Sequence, residues 1–259
     1  MEQNNKTNRN LEEGISEDRT VRQQIAEAWF LTSKELAVLA HARGRKELFG
    51  FDFENLSGIK KEEMYEVLYK MAAKGMLKSD GISFRVEEPY RTLIDGIVKA
   101  TQAVLVYPKD KEHPDLCCYE GEDDYIVTEI SMVQKNSLKI YSVKKESMVV
   151  FLEEEGYLPV EKEEEYKTLL EEKKQKVPFT PARECLMEDG MKCVIEVYDL
   201  RLRQTHPLVK QVRILEEALF SFIIIHTQKE SRKFSYDRQI IAEEIRHITG
   251  EELGDHDIS

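Results

Sequence analysis

The sequence predicts an α+β fold with antiparallel sheets in two quasi-repeated halves, each running helix, meander, helix. Three observations predict it. From Ala103 onward the apolar residues fall into strand-length runs, AVLVY, LCCYE, DYIVTEI, SLKIYSV and MVVFL, separated by turn-rich pieces such as PKDKEHPD and EGEDD. After Pro178 and Pro181 the same order returns, with KCVIEVYDLRLR, LVKQVRIL, ALFSFIII and RKFSY. Upstream of Ala103 the apolar spacing is helical instead.

Taken in order, Met1 to Gly14 lacks periodicity and reads as a disordered tail. A first helix is expected from about Glu17 to Phe30, with Val21, Ile25, Ala28 and Trp29 on one side. Thr32 or Ser33 can cap the next helix, whose apolar positions Leu36, Leu39 and Ala40 lead toward a break at Gly44. The stretch Ile59 to Val86 then reads as a helix, a glycine stop and a small hairpin. Met64, Val67, Leu68 and Met71 fall at i, i+3, i+4 and i+7, Gly75 ends the helix, and Ser79, Asp80 and Gly81 turn between two short strands. That order makes the N-terminal segment winged-helix-like. Pro89 opens the helix Tyr90 to Thr101, with Leu93, Ile94 and Ile97 as its buried stripe.

After the first meander, Val160 to about Lys174 reads as a polar helix with Tyr166, Leu169 and Leu170 on a narrow apolar face. A short amphipathic piece at Ala182 to Met187 opens the second meander. Its run Ala218 to Ile225 suits a central strand covered on both faces. A helix from Asp237 to Ile248 closes the unit. The expected divisions are a tail at 1–16, a helical winged-helix-like segment at 17–101, a first meander plus helix at 102–176, a second at 177–250 and an acidic tail at 251–259.

A winged helix suggests a transcriptional regulator binding DNA through residues 59–86, with Lys60, Lys61, Lys70, Lys74, Lys78 and Arg85 as the phosphate or base contacts. Charge argues the other way. Glu62, Glu63 and Glu66 occupy the first two turns of the would-be reading helix. The chain carries a net charge of −12, and residues 101–259 hold 22 Lys/Arg against 33 Asp/Glu. Such a body repels a phosphate backbone.

Chemistry is sparse. The twelve glycines never lie closer than four positions apart, and there is no GKS, GKT or GxSxG element, so phosphate loops and the serine-hydrolase elbow are excluded. Cys117 and Cys118 are neighbours on a strand and point to opposite faces, while Cys185 and Cys193 supply only two ligands across a turn. The six histidines are scattered without an HExxH. No enzyme, cofactor or metal site is expected. No apolar run approaches the about 18 residues of a membrane span, so no membrane partner is expected either. Four unevenly placed cysteines in a chain of this length fit a reducing, cytoplasmic setting.

The segments AWFLTSKELAVLA, YEVLYKMAAKGMLKSDG and PYRTLIDGIVKAT, followed by the strands AVLVYP and LCCYE, resemble the opening of EspG-type proteins, the cytosolic chaperones of mycobacterial type VII secretion. The resemblance implies an antiparallel sheet flanked by helices in two quasi-symmetric halves. It also implies a non-catalytic role: covering the aggregation-prone end of a small helical secreted client. Such a role needs an apolar patch with a polar rim. Tyr119 and Tyr125, beside the hairpin loops, are the candidate client contacts. Neither the client's identity nor the oligomeric state can be read from these motifs.

Overall fold

The computed structural model describes residues 28–45, 48–50, 60–81, 83–130, 137–160, 169–174, 178–201, 205–217 and 220–246. Strand β1 (Trp29–Thr32) leads into helix α1 (Ser33–Ala42). Thr32 closes a capping box: its hydroxyl accepts from the Glu35 amide at 3.2 Å, and the Glu35 carboxylate accepts from the Thr32 amide at 2.8 Å. Glu35 also pairs with Lys74 at 2.6 Å, which ties α1 to the end of helix α2 (Lys61–Ala73). Thr32→Ala is expected to cost about 1 kcal/mol in urea denaturation, the usual worth of such a cap.

Helix α2 stops where the glycine signal placed it. Gly75 has φ of 73°, and the Met76 amide returns to the Met71 carbonyl at 2.9 Å. The hairpin of β2 (Leu77–Ser79) and β3 (Phe84–Val86) follows, then helix α3 (Tyr90–Lys99). These elements form a layer packed on a large sheet. Met71, Leu36, Leu39, Ile94 and Ile97 meet Ala103, Cys117, Ile126 and Ile140 in one buried cluster.

The sheet holds β4 (Gln102–Pro108), β5 (Leu116–Glu120), β6 (Asp124–Ile130), β7 (Ser137–Lys144), β8 (Leu169–Lys173), β9 (Met191–Asp199), β10 (Leu208–Glu216), β11 (Ser221–Thr227) and β12 (Ser231–Ser235). With β1 they form one ten-stranded antiparallel sheet in the order β1-β7-β6-β5-β4-β9-β10-β11-β12-β8. The order is symmetric about the β4–β9 pair. Each half is a four-stranded meander whose last strand takes an edge strand from upstream, β1 on β7 and β8 on β12. Each then ends in a helix, α4 (Met148–Glu154) after β7 and α6 (Arg238–Arg246) after β12. The α+β class and its repeated halves stand, with the two expected sheets joined into one.

Helices α4 and α6 cover one face of that sheet. Val104, Val127, Tyr141, Phe151, Ile195, Val212, Ile223, Ile225, Ile241 and Ile245 share a single core there. The helices also bind across the halves: Gln102 and Tyr125 of the first half both donate to the Ile245 carbonyl, at 2.7 and 3.0 Å. Glu153 of α4 accepts from Tyr236 at 3.0 Å and pairs with Arg238 at 2.5 Å.

Three local expectations change. Trp29 belongs to a strand paired with Ile140 rather than to a helix, while residues 17–27 of that expected helix lie outside the described residues. MVVFL is helical, since Met148, Val149, Phe151 and Leu152 are all buried at helical spacing against the core; tertiary packing overrides the β-branched preference. Leu169 to Lys173, expected as the end of a polar helix, is edge strand β8, and residues 161–168 lie outside the described residues. The other meander strands and the closing helix fall where the sequence placed them, within a few residues.

A candidate protein-binding face on the second meander

The two faces of the sheet can be assigned from register. Ala103 and Leu105 face the α1–α3 layer, and pairing carries that side through Tyr198 and Glu196 to Gln211, Arg213 and Leu215. It continues to His226, Ile224 and Phe222 on β11, then to Ser231, Lys233 and Ser235 on β12. In the first half this face lies under the α1–α3 layer. In the second half, among the described residues, its helical cover is the four-residue α5 (Ala182–Cys185), which closes a small cluster with Met191 and Val194.

The result is a row of half-buried side chains on the outer side of β11. Ile223 and Ile225 are 0% exposed on the core side, while Phe222, Ile224 and His226 alternate with them at intermediate exposure. This corrects the expectation of a strand covered on both faces. Phe220, 57% exposed, lies 6.5 Å from the Phe222 ring, and Leu215 pairs with Phe222 across the strands. Met187, just after α5, is 84% exposed.

Polar groups edge the row and are held in place. Gln211 donates to the Thr180 carbonyl at 2.7 Å and to Glu196 at 2.9 Å, and Tyr198 donates to the other Glu196 oxygen at 2.7 Å. Arg213 donates to Gln211 at 3.0 Å and pairs with Glu188 at 3.5 Å. Lys233 sits 4.4 Å over the Phe222 ring. An apolar centre with a satisfied polar border is the anatomy of a protein-binding patch.

His226 adds no charge to that centre at neutral pH. Burial, helped by the nearby Arg213 cation, lowers its pKa from 6.5 to about 4. Because the folded value lies below the unfolded one, the unfolded chain takes up more protons between these values. Stability is therefore expected to be full above pH 6.5 and to fall as pH drops toward about 4. Melting temperatures measured at pH 7, 5 and 4 check this, and His226→Gln should flatten the profile over that window.

The sequence-derived site residues lie elsewhere. Tyr119 and Tyr125 are 1% and 0% exposed: Tyr119 donates to the Phe49 carbonyl and Tyr125 to the Ile245 carbonyl, so both phenols serve internal packing. Of the six cations, Lys70 pairs with Glu66, Lys74 with Glu35 and Arg85 with Glu87. Lys61 lies 5.8 Å from the Tyr65 ring, and Lys60 and Lys78 are exposed. Glu63 pairs with Lys34. The inner face of α2 packs into the buried cluster with α1 and the hairpin, and its outer side shows Tyr65 and Tyr69, 57% and 82% exposed.

Reactive groups are buried rather than displayed. Burial pushes the Cys117 and Cys193 thiols up to about 12 and holds Cys118 well above the usual thiol range, so these cysteines are protonated at neutral pH. Cys117 and Cys118 do face opposite sides of the sheet, in separate cores. Among the described residues no cluster of three or more His, Cys, Asp or Glu side chains could hold a metal ion. No helix among them is long and apolar enough to cross a membrane.

No protein-family model matches the sequence, and no curated protein matches it. Among solved structures, the chain resembles the type VII secretion system chaperone EspG5 of Mycobacterium tuberculosis, solved in complex with a PE25–PPE41 dimer. The identity is 8% and the TM-score 0.49, over 85% of this chain and 94% of that one. The likeness is one of structure.

Proposed function

We propose that this chain is a non-catalytic chaperone or adaptor that holds a small helical protein against the outer face of its second meander. The observation that carries the reading is the contrast between the halves. On the first meander that face is closed by helices α1 to α3, whereas on the second it leaves Phe222, Ile224 and His226 half-exposed. That contrast supports a helix as the element the open face receives. The seven residues of β11 extend about 24 Å at ~3.4 Å each, the length of roughly 16 helical residues at ~1.5 Å each. A client helix of about four turns fits along it.

The shifted pKa values fit a binder better than a catalyst, since the raised cysteines and tyrosines are explained by burial. A type VII secretion client and a cytoplasmic location are the finer form of the proposal; the first rests on the resemblance carried by AWFLT and GMLKSDG, the second also on the unevenly placed cysteines. Co-expression with each small helical protein encoded beside the gene tests it. The expected result is a soluble complex of fixed stoichiometry with one of them. Failure with every neighbour would remove the type VII client from the proposal.

A further inference from the structure

A second feature lies apart from the β11 face. Two adjoining hollows, ≈ 320 Å³ and ≈ 530 Å³, share Gly44, Arg45, Val98, Ala100 and Leu200 at the seam between the α1–α3 layer and the segment after β9. Their walls carry Arg43, Arg45, Lys99 and Arg201. In a chain of net charge −12 this concentration of cations needs a reason.

Internal pairing accounts for only part of it. Asp95 takes both Arg43 and Lys99, and Asp199 takes both arms of Arg201 at 2.9 Å. Arg45 is half-buried and donates to the Val98 carbonyl at 2.7 Å, with no carboxylate partner among the described residues. Among the described residues, these four cations face two carboxylates, an excess of two positive charges.

His206 points to the same place. It lines the smaller hollow, and its backbone φ of 38° is the one positive value at a non-glycine among the described residues. Its Nδ1 is buried without a hydrogen-bond partner, and its ring stands edge-on to Phe49 at 5.4 Å. A residue in strained backbone and a guanidinium without a carboxylate partner among the described residues line the same hollow, a combination found at ligand sites.

We propose that this seam is a binding site for a small molecule bearing a phosphate monoester on a flat ring, of the size of a mononucleotide. The phosphate dianion matches the two surplus charges and takes the fork of Arg45, for which phosphate geometry is well suited. The ring lies against Phe49 and His206. A ligand held here bridges residues before the first meander to residues inside the second, so it should also raise the melting temperature.

Calorimetry and thermal melts of the full chain at low salt, with AMP, adenosine and inorganic phosphate as separate probes, test the proposal. AMP is expected to bind one-to-one and raise the melting temperature, with adenosine and phosphate each at least about tenfold weaker. Arg45→Gln should weaken AMP at least about tenfold with an unchanged circular dichroism spectrum. Lys99→Gln, altering a side chain that is 75% exposed, should weaken it by a smaller factor and guards against a folding defect at Arg45. No binding of AMP, or binding indifferent to both substitutions, overturns the proposal. Phosphate binding as tightly as AMP overturns it too, because the ring would then contribute nothing.

Discussion

Replacing Arg238 by methionine is expected to lower the unfolding free energy by about 3 kcal/mol, the low end for breaking a buried ion pair. Glu153 is 4% exposed in its side chain and receives Arg238 at 2.5 Å, with the Tyr236 hydroxyl at 3.0 Å on its other side. Without the guanidinium the carboxylate stays buried with one neutral donor. Arg238 itself is 38% exposed, which is why the low end applies. The double variant Glu153→Gln with Arg238→Met should recover at least half of the loss, since no unpaired charge remains. Urea midpoints at constant m-value measure both. Because the pair joins α4 of the first half to the start of α6, a loss under about 0.5 kcal/mol would mean that this seam contributes no more than an ordinary surface bridge.

Replacing Ile224 by aspartate is expected to weaken client binding at least about thirtyfold, the factor that corresponds to a hot-spot loss of ~2 kcal/mol. The fold should tolerate it. Ile224 is half-exposed and lies between Arg213 on β10 and Lys233 on β12, so the new carboxylate has a cation on each side. In a complex the same charge would be desolvated at the apolar centre of the patch, where it disfavours docking. The diagnostic result is an unchanged melting temperature together with loss of the complex. A matching aspartate at Ile223, 0% exposed on the core side, should instead destabilise the protein itself.

Much of the fold was legible because the meander strands carry clean period-two patterns and the turns between them are rich in charge, glycine and proline. The helix ending at Gly75 and the hairpin after it were equally plain. The errors share one cause: segments whose local preference was overruled by what they pack against. MVVFL has strand chemistry, but all its large side chains except Val150 are buried on the helix-covered core. LLEEK has helical chemistry, yet the free edge of β12 takes it as a strand.

The binding face was half-legible. The run SFIII pointed to a strand, but nothing within it tells which side lacks a cover. A signal was available at the level of the halves, since four helical patterns precede the first meander, whereas the polar segment 160–174 and the short piece at Ala182 precede the second. Tyr119 and Tyr125 drew attention as amphipathic aromatics near turns. Their hydroxyls reach the Phe49 and Ile245 carbonyls, partners far away in sequence that no local pattern foretells.

The central claim is tested most directly by hydrogen–deuterium exchange on the complex formed with a co-expressed helical client, compared with the free chain. The account predicts new protection concentrated over Phe220 to Thr227 and Ser231 to Ser235, the strands that present Phe222, Ile224 and Lys233. Protection confined to the outer side of α2 around Tyr65 and Tyr69, with β11 and β12 unchanged, would contradict it.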